Sequence, residues 1–266
     1  MKITIVGCGN MGLAFARSFI KYEIVKPEDL LLITKTEERA HILNQMNIGF
    51  ATAVFSNQIS KSDIILVSVK PQDYPSVATQ LKAVIQPHNV LLTIMAGIRI
   101  ATIEKQLNHT NIVRAMPNSP AEIGLGMTAY TNHPSMDFSL MRKAEALLGT
   151  TGRIVYLEQE DLLDAVTALS GSGPAYFYYF LKQMVEAGKR MGFEEATSTM
   201  LVKQTMIGAY HLVNNASKSL DELIGIVASK GGTTEAALKV FEQNNIGKHL
   251  QEGILAAEKR AKELSK

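Results

Sequence analysis

At 266 residues, with 46% hydrophobic and 20% charged residues, the chain is long and apolar enough for one large core or two modest ones, which excludes a largely disordered protein. Its 27 Lys+Arg stand against 25 Asp+Glu, and the formal net charge of +2 gives no field for capturing nucleic acid or an anionic membrane. The single cysteine, Cys8, excludes an intrachain disulfide, a Cys-based zinc site and a two-Cys redox motif.

From the amino terminus, the runs Ile3 to Val6, Leu30 to Ile33, Ile64 to Val69, Val90 to Ile94 and Ile112 to Met116 are nearly continuously apolar, as strands buried on both faces require. Helix-length segments Leu13 to Lys21, Glu37 to Met46 and Pro75 to Ile85 separate several of them. The order indicates βαβ units and a mainly parallel sheet. Gly126 to Tyr130 and Arg153 to Leu157 are expected to extend this sheet, with a helix over Phe138 to Leu148 between them. After Leu157 the strand-like runs stop. Helices are predicted over Asp161 to Leu169, Pro174 to Met191, Glu194 to Asn214, Leu220 to Val227, Thr234 to Gln243 and Gly247 to Leu264. The composition changes near Glu158, so the reading is an α/β fold: a Rossmann dinucleotide-binding domain over 1–158 and an all-α domain over 159–266. No Gly/Ser/Pro linker joins them. The cluster Tyr176-Phe177-Tyr178-Tyr179-Phe180 places aromatics on every face of one helix, which suits either a central helix of the monomer or a subunit interface. The first strand starts at once, without a basic stretch, apolar run and cleavage site. The longest apolar stretch, Ala175 to Leu181, is far short of the roughly 20 residues that span a bilayer. The expectation is a cytoplasmic protein with no membrane segment.

Gly7-Cys8-Gly9-Asn10-Met11-Gly12 matches the dinucleotide fingerprint G-x-G-x-x-G between an apolar strand and an amphipathic helix. Gly7 would permit the tight turn, Gly9 the approach of a pyrophosphate, and Gly12 close helix–strand packing. Where sites for NAD place an acid at the end of the second strand, this chain has Thr34-Lys35-Thr36, with Arg39 one turn on. Hydroxyls and cations suit a 2′-phosphate, so NADPH is expected ahead of NADH. The other readings are that Thr36 caps a helix begun by Glu37 and Glu38, and that a shifted register brings Glu37 to the ribose. Further strand exits fall at Val69-Lys70-Pro71, Met95-Ala96-Gly97 and Met116-Pro117-Asn118, where strand ends line a ligand crevice. Lys70 is either an anion ligand or a solvated lysine, and Asn118 either orients a nicotinamide amide or makes a turn. Leu169-Ser170-Gly171-Ser172-Gly173-Pro174 is expected to break one helix and start the next. Ser229-Lys230-Gly231-Gly232-Thr233-Thr234 does the same, offering either an anion nest or an ordinary helix start. None of the six histidines falls in a motif, and no metal site is expected.

With these residues in place, the chain resembles the pyrroline-5-carboxylate reductase family from Lys2 to about Leu264, most strongly over Asp164 to Tyr176 and Ser229 to Thr234. The resemblance implies hydride transfer from NAD(P)H to C5 of Δ1-pyrroline-5-carboxylate, giving L-proline. It implies cofactor contacts from Val6 through Met11, Gly7, Gly9 and Asn10 among them, and from Thr34, Val69, Lys70 and Ala96, to which the reading of the residues themselves adds Gly12, Lys35 and Asn118. It also implies Thr167 facing the ring nitrogen, with Glu160, Ser229, Gly232, Thr233 and Thr234 on the substrate. The helical domain of this family dimerises so that the substrate loop of one subunit meets the partner's cofactor, and some members assemble decamers. Two departures stand out: lysine at 230 where the family's loop has proline, and a short segment from Asn57 to Asp63. The β-hydroxyacid dehydrogenases share the layout and use a lysine in their second half. Lys182 and Lys189 fall outside that family's motif. A dinucleotide sensor without turnover is the non-enzyme alternative.

Overall fold

The computed structural model describes residues 1–265. Its sheet begins with β1 (Ile3–Val6), flanked by β2 (Leu30–Ile33) and β4 (Ile64–Val67), and has the order β3-β2-β1-β4-β5-β6-β7-β8. β3 (Phe50–Thr52), β5 (Val90–Thr93) and β6 (Ile112–Met116) continue it in parallel; β7 (Gly126–Asn132) runs antiparallel to β6, and β8 (Gly152–Tyr156) pairs parallel with β7. Strand order reverses between β1 and β4, and an open α/β sheet puts its ligand crevice at such a switch point, outside the strands' carboxyl ends.

The continuous apolar runs are explained by two cores, one on each face. Ile3, Ile5, Ile64 and Leu66 belong to the first with Phe15, Phe19, Leu43 and Leu147, while Val6, Ile65 and Val67 belong to the second with Leu81 and Ile103. Strand side chains alternate with period two, so both parities must be apolar when both faces are covered. The first face is supplied by α1 (Asn10–Lys21), α2 (Glu37–Asn44) and α5 (Phe138–Leu148), the second by α3 (Tyr74–Lys82) and α4 (Ile100–Leu107).

The structure departs from the sequence reading in five respects. The short strand β3 and the helix α4 are absent from the sequence reading, and the third and fourth expected strands stop at Val67 and Thr93. The Ser-Gly-Ser-Gly-Pro segment is not a break. α6 (Leu162–Val166) runs into a single π turn over Thr167–Gly171, closed by Ser172 N–H donating to Thr167 O at 2.8 Å, and α7 (Gly173–Arg190) follows with Ser172 still in right-handed helical conformation. Glycine and proline here accommodate an inserted residue instead of ending the helix.

Contacts divide the chain after Pro174, later than the composition change near Glu158. One unit holds Met1–Pro174 with a returning segment from Ala257, the other Ala175–Ala256. α6 stays with the sheet because Asp164 is buried against Arg114 of β6.

The second unit contains most of α7, α8 (Glu195–Asn215), α9 (Leu220–Val227), α10 (Thr233–Gln243) and the first part of α11 (Ile246–Leu264). α7 and α8 are pinned by the buried Ser198 hydroxyl, which donates to Val185 O at 2.8 Å. Within one chain these helices bury little else: Phe177 is 68% exposed, Tyr178 65%, Tyr210 62% and Leu212 67%. The aromatic helix is therefore not a central helix of the monomer, and its apolar surface requires a covering.

Candidate dinucleotide and imine site

The three fingerprint glycines have three separate physical roles. Gly7 holds φ +96°, and a Cβ there would stand 2.7 Å from Val69 Cγ1 and 2.8 Å from Val69 N. At Gly12 a Cβ would lie 2.2 Å from Gly7 O, so only glycine lets α1 seat this closely on the turn. Gly9 caps α1 in extended conformation, and its absent side chain points into open space. A Cβ there would occupy room that a phosphate needs at a helix N-terminus. Gly7 N–H donates to Ile33 O at 2.9 Å and Gly7 O accepts from the Ser68 hydroxyl, which ties the turn to β2 and to the exit of β4.

Around this turn lies a cleft of about 580 Å³. Of the expected cofactor residues, Val6, Gly7, Gly9, Thr34, Lys35, Val69 and Lys70 line it. Asn10, Met11, Gly12 and Ala96 do not; Gly12 packs beneath the turn, and Ala96 follows the end of β5. The sequence reading does not single out Phe55, Ser68, Asp73, Ser76 or Gln80, which complete the wall. Cys8 also lines it. Burial pushes its thiol up to about 12, opposed by the charge of Arg39.

At the β2 tip the Thr34 hydroxyl donates to Thr36 O at 2.8 Å, and Thr36 caps α2 by accepting from Arg39 N at 3.2 Å. Glu37 does not reach toward a ribose: its carboxylate accepts from Ala53 N at 3.1 Å. The acid is thereby drawn to the end of β3, while Arg39 and Lys35 face the cleft. Asn57 is outside the lining, and its carbonyl accepts from the Ser60 hydroxyl at 2.7 Å.

Two other expected site residues are engaged within the fold. The Asn118 side-chain carbonyl accepts from Met127 N at 2.9 Å and its amide donates to Ser170 O and Oγ, which joins the exit of β6 to β7 and to the π turn. Glu160 Oε1 accepts from Ile100 N and from Arg114, both at 2.8 Å. Arg114 also donates to Asp164, which accepts from the Ser265 hydroxyl at 2.7 Å. Glu160 thus serves an ion network around the buried Arg114.

Thr167 opens the π turn, half-buried, and its hydroxyl donates to Leu163 O at 2.8 Å. The proton is committed, so the oxygen's lone pairs are what it offers a ligand. Gly171 brings the turn to the carboxyl end of β6, where a Cβ would come 2.9 Å from Met116 Cε. A π turn at the ligand rim of the sheet is a common functional placement.

In the second unit, Ser229 O accepts from Gly232 N at 3.0 Å, and Gly231 holds φ +75°. Gly232 caps α10, whose first turn contains Thr233 and Thr234. A Cβ on Gly232 would come 2.7 Å from Ser229 Oγ and 3.0 Å from Ser229 O, so a side chain there would crowd the loop and turn the Ser229 hydroxyl. Glu235 accepts Gly231 N–H at 2.7 Å and pairs with Lys239. Lys230 is exposed. Lys189 is a surface residue paired with Glu186 at 3.0 Å and Glu195 at 3.4 Å, and is not built into a cleft wall. Among the described residues no group of three His, Cys, Asp or Glu is placed to hold a metal, and no helix is long and apolar enough to cross a membrane.

Comparison with known proteins matches two families along the chain. Residues 160–264 match the family described as pyrroline-5-carboxylate reductase dimerisation, and residues 2–97 the one described as NADP oxidoreductase coenzyme F420-dependent. A pyrroline-5-carboxylate reductase of Aquifex aeolicus is 35% identical over 99% of this chain and 97% of its own length. The structure of a pyrroline-5-carboxylate reductase from Coxiella burnetii superposes with a TM-score of 0.89 at 29% identity, covering 100% of this chain and 98% of that one. The Plasmodium falciparum pyrroline carboxylate reductase, crystallised with NADP bound, gives 0.90 at 26% identity with the same coverage. Sequence, fold and glycine turn agree: the chain belongs to the pyrroline-5-carboxylate reductase family.

Proposed function

We propose that the chain catalyses the NAD(P)H-dependent reduction of L-Δ1-pyrroline-5-carboxylate to L-proline, the last step of proline synthesis. The observation that carries this reading is its likeness to pyrroline-5-carboxylate reductases over essentially its whole length. The cleft residues fit a dinucleotide, since Gly9 leaves open the space that a side chain would fill at the start of α1. When bound, the nicotinamide supplies a hydride.

The chain's own residues account for the remainder. Arg39 and Lys35 give the β2 tip a cationic character that favours a 2′-phosphate, so NADPH is preferred and NADH is the weaker partner. A cyclic imine protonated from solvent is electrophilic at C5, and hydride addition there gives a neutral secondary amine without an enzymic acid. Thr167 Oγ1, having donated its proton to Leu163 O, accepts the N–H of the protonated ring and fixes which face of C5 is presented. Ser229, Gly232, Thr233 and Thr234 hold the substrate carboxylate at the N-terminus of α10, where orphan amides and the helix dipole favour an anion. Glu160 acts on the substrate side through Arg114 and the end of the sheet. The apolar surfaces of α7 and α8 are covered by a second copy of the chain, and assembly of dimers into a decamer and a cytoplasmic location follow the same family reading.

NADPH oxidation with pyrroline-5-carboxylate, with a β-hydroxyacid and NADP⁺ as the control pair, tests the assignment. Turnover with the imine alone is expected. Tight NADPH binding without turnover would replace the enzyme with a sensor, and turnover of the hydroxyacid would move it to the dehydrogenases.

A further inference from the structure

Asp73 occupies the N-cap position of α3, where an aspartate ordinarily turns back to accept a helix amide. Here it caps nothing. Its carboxylate instead reaches across the cleft mouth to Lys35 Nζ at 3.1 Å, joining the loop after β4 to the loop after β2. Both residues line the dinucleotide cleft, as does the half-buried Arg39, whereas the acid that follows β2, Glu37, is withdrawn to Ala53 N. The cleft therefore has two cations at its 2′ end and one carboxylate, and that carboxylate comes from a different loop than the one that supplies the acid in an NAD site.

We infer that Asp73 is a specificity-determining residue that weakens the cleft's preference for a 2′-phosphorylated dinucleotide by holding Lys35 and by adding a negative charge beside the phosphate position. The inference rests on the proposed reading of the β2 tip as the 2′ end of the cofactor site. A 2′-phosphate must compete with Asp73 for Lys35, and Arg39 is left as its principal ligand. A 2′-hydroxyl meets no such competition and can donate to the carboxylate, which lets NADH remain a usable partner. The Lys35 side chain is 81% exposed, so the ion pair is a weak one that a phosphate can open.

Calorimetric titration of NADP⁺ and NAD⁺ into the wild-type protein, Asp73→Asn, Lys35→Ala, Lys35→Ala/Asp73→Asn and Arg39→Ala provides the test without relying on turnover. Because Asp73 makes no cap bond, the asparagine variant keeps α3, which circular dichroism verifies. Asp73→Asn is expected to tighten NADP⁺ about three- to fivefold, the scale of an exposed ion pair plus a nearby like charge, with NAD⁺ unchanged or weakened. In the Lys35→Ala background the gain falls by half or more, and at about 0.5 M salt it collapses. An unchanged NADP⁺/NAD⁺ ratio in Asp73→Asn, or an undiminished gain without Lys35, overturns the inference. If Arg39→Ala and Lys35→Ala both leave the ratio unaltered, the reading of the β2 tip itself fails. If Arg39→Ala lowers the ratio while Asp73→Asn does nothing, only the role of Asp73 is lost.

Discussion

Alanine at each of two fingerprint glycines should separate cofactor binding from folding, because the structure places the two added methyl groups in opposite circumstances. At Gly12 the new Cβ would sit 2.2 Å from Gly7 O and 2.6 Å from Ser68 Oγ. The first is backbone in a turn held by β2 and by Ser68, so α1 itself must move off the sheet. Overpacking of this kind costs about 1–3 kcal/mol and more when backbone must shift, which for a protein of this size lowers Tm by roughly 5 °C or more. At Gly9 nothing lies within 4 Å and the backbone is extended at φ −77°, so alanine fits the apo fold. By reducing unfolded-state freedom it should even stabilise by about 0.4–1 kcal/mol. Its methyl group, however, fills the space assigned to the pyrophosphate, and the loss in NADPH affinity should be at least about tenfold, one lost contact to a charged group. Thermal unfolding at fixed protein concentration, with and without saturating NADPH, reads both effects. Gly9→Ala should keep or slightly raise the apo Tm and show a smaller ligand-induced rise, whereas Gly12→Ala should lower the apo Tm. A Gly9→Ala protein that binds NADPH like wild type would refute the assignment of the open space to a phosphate.

Four other outcomes follow from the same geometry. Thr167→Ala should lower kcat about 10- to 100-fold, the value of a hydrogen bond to a charged group, with NADPH affinity intact and serine restoring much of the rate; an unchanged kcat removes Thr167 from the reaction. Thr234→Ala should raise the KM for the imine several-fold at nearly constant kcat, and equal KM values would argue against carboxylate binding at α10. Asp164→Ala leaves Arg114, only 2% exposed, with Glu160 as its remaining carboxylate and one guanidinium nitrogen unpaired, and should cost about 1–3 kcal/mol in urea unfolding; no measurable loss would mean that the network is not stabilising. The Cys8 thiol, pushed up to about 12 by burial against about 9 when unfolded, holds its proton longer in the native state. Its contribution is complete below about pH 9 and is lost as pH rises from there toward 12. Alkylation of native protein at pH 8 should therefore be far slower than that of urea-unfolded protein, and equal rates would contradict the buried placement.

The sheet was legible in the sequence because burial on both faces forces both parities of each strand to be apolar, as in Ile64-Ile65-Leu66-Val67. β3 escaped because it is an edge strand of three residues with Phe50 exposed and shows no such run. The glycine turn was legible for the opposite reason: sterics exclude a side chain at Gly7 and Gly12, and Gly9 between them completes a fixed spacing. Asp73 was hidden because nothing local marks an N-cap residue that abandons its helix for a lysine 38 positions earlier. The Ser170 to Pro174 segment misled, since glycines that usually end a helix here admit a π turn. The hydrogen bonds of Asn118 to Met127 and Ser170, and of Glu160 to Ile100 and Arg114, were not legible either, because each joins residues far apart in the sequence.

The central claim, hydride delivery to a ring imine, is tested most directly by isotope. NADPH deuterated at both nicotinamide C4 positions, incubated with the protein and pyrroline-5-carboxylate, should yield proline carrying one deuterium at C5 and on a single face, read by NMR. Proline without deuterium, deuterium on both faces, or no proline despite bound NADPH would contradict the account.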